Sequence, residues 1–260
     1  MIEPFPQGDY AELAVSSHYS FLRGASSPKH LVAAALLNGH RGMGLADRNT
    51  VAGVVRAWSA LKSLREHGLL PPDYLRDGSG PGEVTVNEDE TIDPALSDEV
   101  KRRAAKFKLI LGARLVFNDG APDILAYPET RAGWGRLTRL LTKGNLRARK
   151  GECEIGLGDL LKAPEDILLI VMPPRDLAGF DKVLTRIAQA APGAVWLGVA
   201  MLRQGDDHRR LERLQAMALK AGVPLLALND VLYHAASERD LQDVLTCIRE
   251  GATIETAGRR

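Results

Sequence analysis

The chain has 260 residues, of which 45% are hydrophobic and 26% charged, and its formal net charge is +1. This composition is typical of a globular protein large enough for one α/β domain, and the near-neutral charge excludes a global attraction to nucleic acid. No run approaches the roughly 20 apolar residues that span a bilayer, and the first residues lack the features of a secretion signal, so we expect a cytoplasmic protein without a membrane segment. Cys153 and Cys247 lie too far apart for a zinc-binding spacing and are expected to be free thiols.

Apolar runs typical of buried strands alternate along the chain with stretches whose apolar residues recur every three or four positions, as in helices. The predicted strands are 10–15, 42–46, 109–117, 124–127, 167–172, 195–199 and 224–228. The predicted helices are 28–37, 51–67, 130–142, 177–190 and 208–221. This alternation predicts an α/β fold of parallel strands with helices packed outside. A β/α barrel follows from the pattern, and a doubly wound open sheet is the alternative that the pattern leaves open.

Residues 71–99 interrupt this alternation. The segment is rich in Gly, Pro, Asp and Glu, has few large apolar residues, and contains Arg76 as its one basic residue. Such a composition predicts a flexible, solvent-exposed acidic insertion. An acidic segment that binds a partner is the alternative.

Residues 101–150 have the opposite charge, with thirteen Lys and Arg against three acids and a net charge of +10. Helical spacing places Arg136, Arg139 and Lys143 on one face of the predicted helix. The opposite face carries Leu137, Leu140 and Leu141. The basic face either pairs with the acidic insertion or contacts a nucleic-acid backbone or an acidic partner.

Four short stretches carry a family resemblance. They are Leu-Ala-Val-Ser-Ser-His-Tyr-Ser-Phe-Leu-Arg-Gly-Ala at 13–25, Gly-Met-Gly-Leu-Ala-Asp-Arg-Asn at 42–49, Leu-Gly-Ala-Arg at 111–114 and Asn-Asp-Val-Leu-Tyr-His at 229–234. Together they resemble the PHP (polymerase and histidinol phosphatase) domain of C-family bacterial DNA polymerases, in the version of the ImuC-type error-prone enzymes. The resemblance implies one domain over residues 1–260 with a distorted seven-stranded β/α barrel, the PHP fold.

An active PHP centre holds up to three metals on His and carboxylate side chains at the carboxyl ends of the strands, and a metal-bound hydroxide attacks a phosphoester. Most of the positions in this chain that match those ligands carry other residue types. The matching positions are Ala14 and Ser16 for His-x-His, Arg23 for a carboxylate, Arg48 for a His, Arg114 for a Glu, and Asp230 and Leu232 for Asp-x-His. Asp230 and the strand-two Asp47 are therefore the acids that remain.

Two carboxylates without imidazole partners make a poor transition-metal site, and three nearby arginines oppose a cation. We therefore expect no catalytic residue and no metal or other cofactor in this domain. Arg23, Arg48 and Arg114 are predicted to pair with Asp47 and Asp230. The alternative is that these arginines bind a phosphate or another anion.

His18 and His234 match no ligand position. His18 is expected to bond to the backbone or to contact Tyr19, and His234 is expected to be structural. The motifs of serine hydrolases, P-loop nucleotide-binding proteins and HExxH metalloproteases are absent from the sequence.

The resemblance also has implications beyond these residues. Residues 241–260 resemble the junction into the polymerase proper, so we expect an N-terminal domain whose palm, thumb and fingers, with their Mg²⁺ ions, lie outside this chain. The implied role is translesion DNA synthesis, DNA repair and damage-induced mutagenesis, with the polymerase core, DNA, the sliding clamp and the ImuA and ImuB accessory proteins as partners. In this chain we expect an inactive structural and docking module. The alternative is a phosphoesterase or 3′-5′ exonuclease built on Asp47, Asp230 and His18.

Overall fold

Seven strands form a single sheet in which each strand lies beside the next one along the chain. The structure is a computed structural model that describes residues 10–68, 94–201, 203 and 205–257. The strands are β1 (Ala11–Val15), β2 (Gly42–Arg48), β3 (Lys108–Leu115), β4 (Ile124–Pro128), β5 (Ile167–Val171), β6 (Val195–Val199) and β7 (Leu225–Ala227). All seven coincide with predicted strands, with ends that differ by at most two residues.

The segment that follows β7 returns to β1. Val15 and Val231 form an isolated parallel bridge, in which the Ser16 N–H donates to the Val231 carbonyl (2.9 Å) and the Val231 N–H donates to the Ala14 carbonyl (2.8 Å). The sheet therefore curls until its last segment meets its first strand. This geometry confirms the predicted seven-stranded α/β barrel and excludes the doubly wound open sheet.

The prediction that all strands are parallel is wrong for β4. This strand runs antiparallel to both β3 and β5, whereas the other neighbouring pairs are parallel. The physical reason is the short connection between Leu115 and Ile124, since eight intervening residues are too few for the crossover that parallel neighbours require.

Helices cover the outside of the sheet. The described helices are α1 (Pro28–Leu37), α2 (Val54–His67), α3 (Pro94–Lys106), α4 (Arg131–Arg147), α5 (Leu157–Leu161), α6 (Phe180–Ala190), α7 (Asp207–Ala221), α8 (Arg239–Glu250) and α9 (Ile254–Ala257). All five predicted helices are present, and α3, α5, α8 and α9 are additional. In the described part of the chain, no helix is both long and apolar enough to cross a membrane.

The prediction for residues 71–99 is wrong at its carboxyl end. Residues 94–99 belong to α3, which the sequence pattern missed because the first turns are polar. Glu99 bonds to Arg103 one turn later (2.7 Å), a spacing that supports helices. Val100 and Ala104 are buried against α1 and α2. The rest of the predicted acidic insertion lies outside the described residues.

Tyr127 fills the middle of the barrel. Its ring is 3% exposed, and its hydroxyl donates to the Leu13 carbonyl on the opposite side (2.6 Å). Glycines make this possible, since a Cβ atom on Gly44 would lie 2.6 Å from the Tyr127 oxygen and one on Gly112 would lie 2.6 Å from the ring. Burial raises the pKa of Tyr127 well above its ordinary value. The interior of the barrel is therefore filled by side chains at the level of Tyr127.

Candidate functional site

The residues that the family resemblance matches to metal ligands converge at the carboxyl ends of the first three strands. The bridge between β1 and the segment after β7 brings Ala14 and Ser16 beside Asp230 and Leu232. On the next two strands, Arg48 of β2 lies in register with Arg114 of β3. We call this end of the barrel, with its arginines and acids, the mouth.

Arg114 is the centre of the mouth. Its side chain is 6% exposed and contacts two carboxylates at once. The Nε atom donates to Asp123 Oδ2 (2.8 Å), while Nη1 and Nη2 donate to the two oxygens of Asp230 (2.6 and 3.4 Å). These two acids raise the pKa of Arg114 against the opposing effect of burial, so the guanidinium stays charged. The predicted pairing of Arg114 with Asp230 is thus confirmed.

Local backbone contacts hold Arg114 and Asp230 in place. Asn49 adopts a left-handed conformation just after β2 (φ 50°), and its N–H donates to the Arg114 carbonyl (2.8 Å). The Asn49 side chain bonds to both the N–H and the carbonyl of Val116, which fixes the end of β3. Asp230 is also left-handed (φ 52°), a conformation that short polar residues tolerate best among non-glycine residues.

Arg23 lies beside this pair with much weaker contacts. Its Nη1 atom is 3.6 Å from Asp123 Oδ2, the same oxygen that Arg114 contacts more closely. Burial lowers the pKa of Arg23, and the neighbouring charge of Arg114 lowers it further. The side chain of Arg48 is exposed and has no ion pair with any described residue.

Asp47 is 1% exposed and is held by neutral donors. It accepts hydrogen bonds from the Ser17 N–H (2.7 Å), the Ser17 hydroxyl (2.9 and 3.0 Å to its two oxygens) and the Ser20 hydroxyl (2.7 Å). Burial raises the pKa of Asp47 above its ordinary value, although these hydrogen bonds work in the opposite direction. A Cβ atom on Gly53 would lie 2.5 Å from Asp47 Oδ2, so the start of α2 closes the remaining side.

The predicted pairing scheme is therefore wrong in three respects. Arg48 pairs with neither Asp47 nor Asp230, because its side chain is exposed. Asp47 is satisfied by serines instead of arginines, because β2 faces the loop that carries Ser17 and Ser20. Arg23 contacts Asp123, which the sequence reading did not place at the site. The sequence signal for Asp123 was the short β3–β4 connection. It makes the chain turn back, so that Asp123, directly before β4, lies beside the end of β3.

The donor set of the mouth does not fit a metal cluster. Over residues 10–68, 94–201, 203 and 205–257, no group of three or more His, Cys, Asp or Glu side chains is arranged to hold a metal ion. Asp47 and Asp230 are both engaged by protein donors, and Arg23 lies close enough to Asp230 for the two charges to interact. The two acids among the matched positions are therefore already engaged by donors of the protein itself.

The two histidines near the mouth have structural contacts. His18 packs edge-on against Tyr19, with ring centres 4.7 Å apart, as expected. The Ser26 hydroxyl oxygen accepts the backbone N–H of His234 (2.9 Å) and forms a second hydrogen bond with His234 Nδ1 (2.8 Å). Burial lowers the pKa of His234, and the proximity of His30 lowers it further.

The basic face of α4 lies away from the mouth. Leu137, Leu140 and Leu141 are buried, as predicted. Arg136 pairs with an acid outside the predicted insertion, since its Nη1 atom contacts Asp166 (2.5 Å) in the loop before β5. Arg139 and Lys143 are exposed, and their contact with nucleic acid stays a prediction.

No family model matches the sequence. Solved structures with the same fold do exist. A metal-dependent phosphoesterase structure from Bifidobacterium adolescentis has the same fold, with a TM-score of 0.55, 14% identity and 90% of each chain covered. An amidohydrolase structure from Chromobacterium violaceum, described with bound sulfate and no metal, gives a TM-score of 0.53 at 11% identity over 86% of this chain and 87% of the other. The chain therefore shares the α/β fold of these two structures.

Sequence similarity narrows this class. The chain is 44% identical over 252 residues to an error-prone DNA polymerase from Brucella abortus and 42% identical over 253 residues to one from Rhodopseudomonas palustris. The matches cover 96% of this chain but only 20% of those relatives, so the chain spans about one fifth of their length. It is a PHP domain homologous to one segment of bacterial error-prone DNA polymerases.

Proposed function

We propose that this chain is a metal-independent structural domain of an error-prone DNA polymerase that acts in the cytoplasm in translesion synthesis and damage-induced mutagenesis. The observation that carries the proposal is the contact of Arg114 with both Asp123 and Asp230. The guanidinium group supplies at the mouth the positive charge that metals supply in an active PHP centre. Nucleotidyl transfer and its Mg²⁺ ions are assigned to the parts of the polymerase beyond this chain.

The carboxylate contacts support the inactive role. Both oxygens of Asp230 face Arg114, and both oxygens of Asp47 accept serine hydroxyls. A divalent cation would have to displace these donors and approach Arg23, Arg48 and Arg114. Like charges at this proximity in a partly buried site are strongly unfavourable. The domain therefore stabilises its barrel with the residues that a phosphoesterase would use for chemistry.

The outer surface of α8 supports the docking role. Val244, Ile248 and Ile254 on α8 and α9 are 38%, 58% and 65% exposed. Arg249 of α8 donates to the Leu22 carbonyl (3.2 Å), next to Phe21, which is 80% exposed. Val244 and Ile248 lie four residues apart on one face of α8, and exposed apolar residues grouped in this way are typical of interaction surfaces. We assign this surface to the polymerase core of the same protein, and we keep DNA, the sliding clamp and the ImuA and ImuB proteins as further partners of the whole polymerase.

The inactive role is tested by adding Mn²⁺ or Zn²⁺ to the purified chain with bis-p-nitrophenyl phosphate and with a single-stranded oligonucleotide. We expect no hydrolysis above that of the Asp230→Asn variant. A phosphoesterase or exonuclease built on Asp47, Asp230 and His18 would instead show turnover that Asp47→Asn and Asp230→Asn each abolish.

The docking role is tested by placing Ile248→Asp in the full-length polymerase. Ile248 is exposed in the isolated domain, so the domain itself should keep its melting temperature while the full-length protein loses stability and primer extension. Leu219→Asp on α7 is the matched control, because Leu219 is 83% exposed on another helix. Equal effects of the two substitutions would refute the assignment of the surface.

A further inference from the structure

Arg23 has far fewer hydrogen bonds than a guanidinium group can make. The group has five N–H donors, and 28% of its side chain is exposed. Its one ion-pair partner among the described residues is Asp123, at 3.6 Å, which is too long for a hydrogen bond. Arg114 donates to the same Asp123 oxygen at 2.8 Å, so the better position on that carboxylate is already taken.

The charges of the mouth do not cancel. Arg23 is close enough to Arg48, Arg114, Asp123 and Asp230 for each of these charges to affect its pKa. Three guanidinium groups therefore face two carboxylates, which leaves one positive charge in excess. Asp47 does not offset it, because its hydrogen-bonding partners are Ser17 and Ser20.

Arg48 places part of this excess positive charge at the surface. It lies opposite Arg114 in the register of β2 and β3, and like charges on paired strand positions repel each other. Its backbone N–H donates to the Ser20 hydroxyl (3.0 Å), which fixes the main chain while the side chain stays exposed. Arg23 and Arg48 are thus close enough for their charges to interact, and both keep N–H donors that no described carboxylate accepts.

We propose that the mouth binds one phosphate group, with Arg23 and Arg48 as its ligands and Arg114 as a fixed background charge. Arginine is the side chain best suited to this role, because its planar fork matches the oxygens of a phosphate. A singly charged phosphate balances the excess positive charge. The shared chemistry is a phosphate group, and its source is either a free phosphate, a mononucleotide or a DNA strand. The inference does not depend on the polymerase role.

Binding is tested by titrating inorganic phosphate into the purified chain at constant ionic strength, with chloride as the reference anion. Arginine Nε–H resonances and the melting temperature report on the site. We expect saturable shifts with phosphate and none with chloride. Arg48→Gln should weaken phosphate binding at least about tenfold without unfolding the protein, because Arg48 is exposed and unpaired. Arg23→Gln should weaken it at least as much.

Arg186→Gln is the matched control. Arg186 is an exposed arginine of α6 without an ion pair among the described residues, and its replacement should leave phosphate binding unchanged. Equal effects of phosphate and chloride, or equal losses in Arg48→Gln and Arg186→Gln, would refute the site. Competition by thymidine monophosphate or by oligothymidylate then identifies the source, and displacement by either of them supports the phosphate site.

Discussion

Asp47 and Asp230 lie on either side of β1 in one barrel, yet their carboxylates are held by different kinds of hydrogen-bond donor. Asp47 is almost completely buried and accepts hydrogen bonds only from neutral groups of Ser17 and Ser20. Asp230 is 30% exposed and faces the charged Arg114. Burial therefore raises the pKa of Asp47, whereas the pair at Asp230 keeps the guanidinium charged. The difference shows that a carboxylate can be kept at a former metal site either by hydrogen bonds or by a counter-charge.

The largest effect is expected from Arg114→Ala. It removes a buried guanidinium from two carboxylates, and breaking such a contact costs about 3 kcal/mol when the acids keep some exposure. Urea denaturation measures the loss. When Asp230→Asn is added, the double variant should lose less unfolding free energy than the sum of the losses of the two single variants. Additive losses would show that Arg114 and Asp230 are not coupled.

Asp47→Ala is expected to cost about 2 kcal/mol, because it leaves the buried Ser17 and Ser20 donors without an acceptor. Asp47→Asn removes the titration and keeps an acceptor. Because folding raises the pKa of Asp47, its titration stabilises the protein below the unfolded pKa, and this contribution is lost as the pH rises through the folded value. The stability of the wild type relative to Asp47→Asn should therefore fall as the pH rises above about 4. A difference that grows with pH would contradict this account.

The pH dependence of stability also provides a test at His234, on the other side of β1. Burial lowers its pKa, so its contribution to stability is fully present above the unfolded pKa and is lost as the pH falls through the folded value. The stability of the wild type relative to His234→Asn should therefore fall as the pH decreases from about 7.5 to about 5.5. A constant difference over this range would refute the structural role of the neutral ring.

The smallest effect is expected from Arg136→Gln. Arg136 pairs with Asp166 near the surface, where 29% and 37% of the two side chains are exposed. Pairs of this kind contribute less than about 1 kcal/mol and weaken with salt. A loss as large as that of Arg114→Ala would remove the distinction between the buried mouth and the basic face of α4.

The strands and most helices could be predicted because they depend on local patterns. Runs such as residues 167–172 are apolar throughout, and residues 208–221 repeat their apolar positions with helical spacing. α3 was missed because its first turns are polar, and it is held by burial of Val100 and Ala104 against other helices. The direction of β4 depends on the length of its connection, which periodicity does not record.

The mouth was predictable in its residues but not in its pairings. The pattern of replaced ligands identified Arg114 and Asp230, and the structure brings them together. The partners of Asp47 depend on how the loop after β1 folds back over β2, and the role of Asp123 depends on the antiparallel turn before β4. The first is a tertiary feature without a local sequence signal, whereas the second is signalled in the sequence only by the short connection between β3 and β4.

The central claim is that arginine holds the mouth where an active PHP centre holds metal. The most direct measurement combines elemental analysis of the purified chain with its melting temperature in Mn²⁺, in Zn²⁺ and in a chelator. The account predicts substoichiometric metal and the same melting temperature under all three conditions. Stoichiometric metal, with a loss of stability in the chelator that disappears in Asp230→Asn, would contradict it.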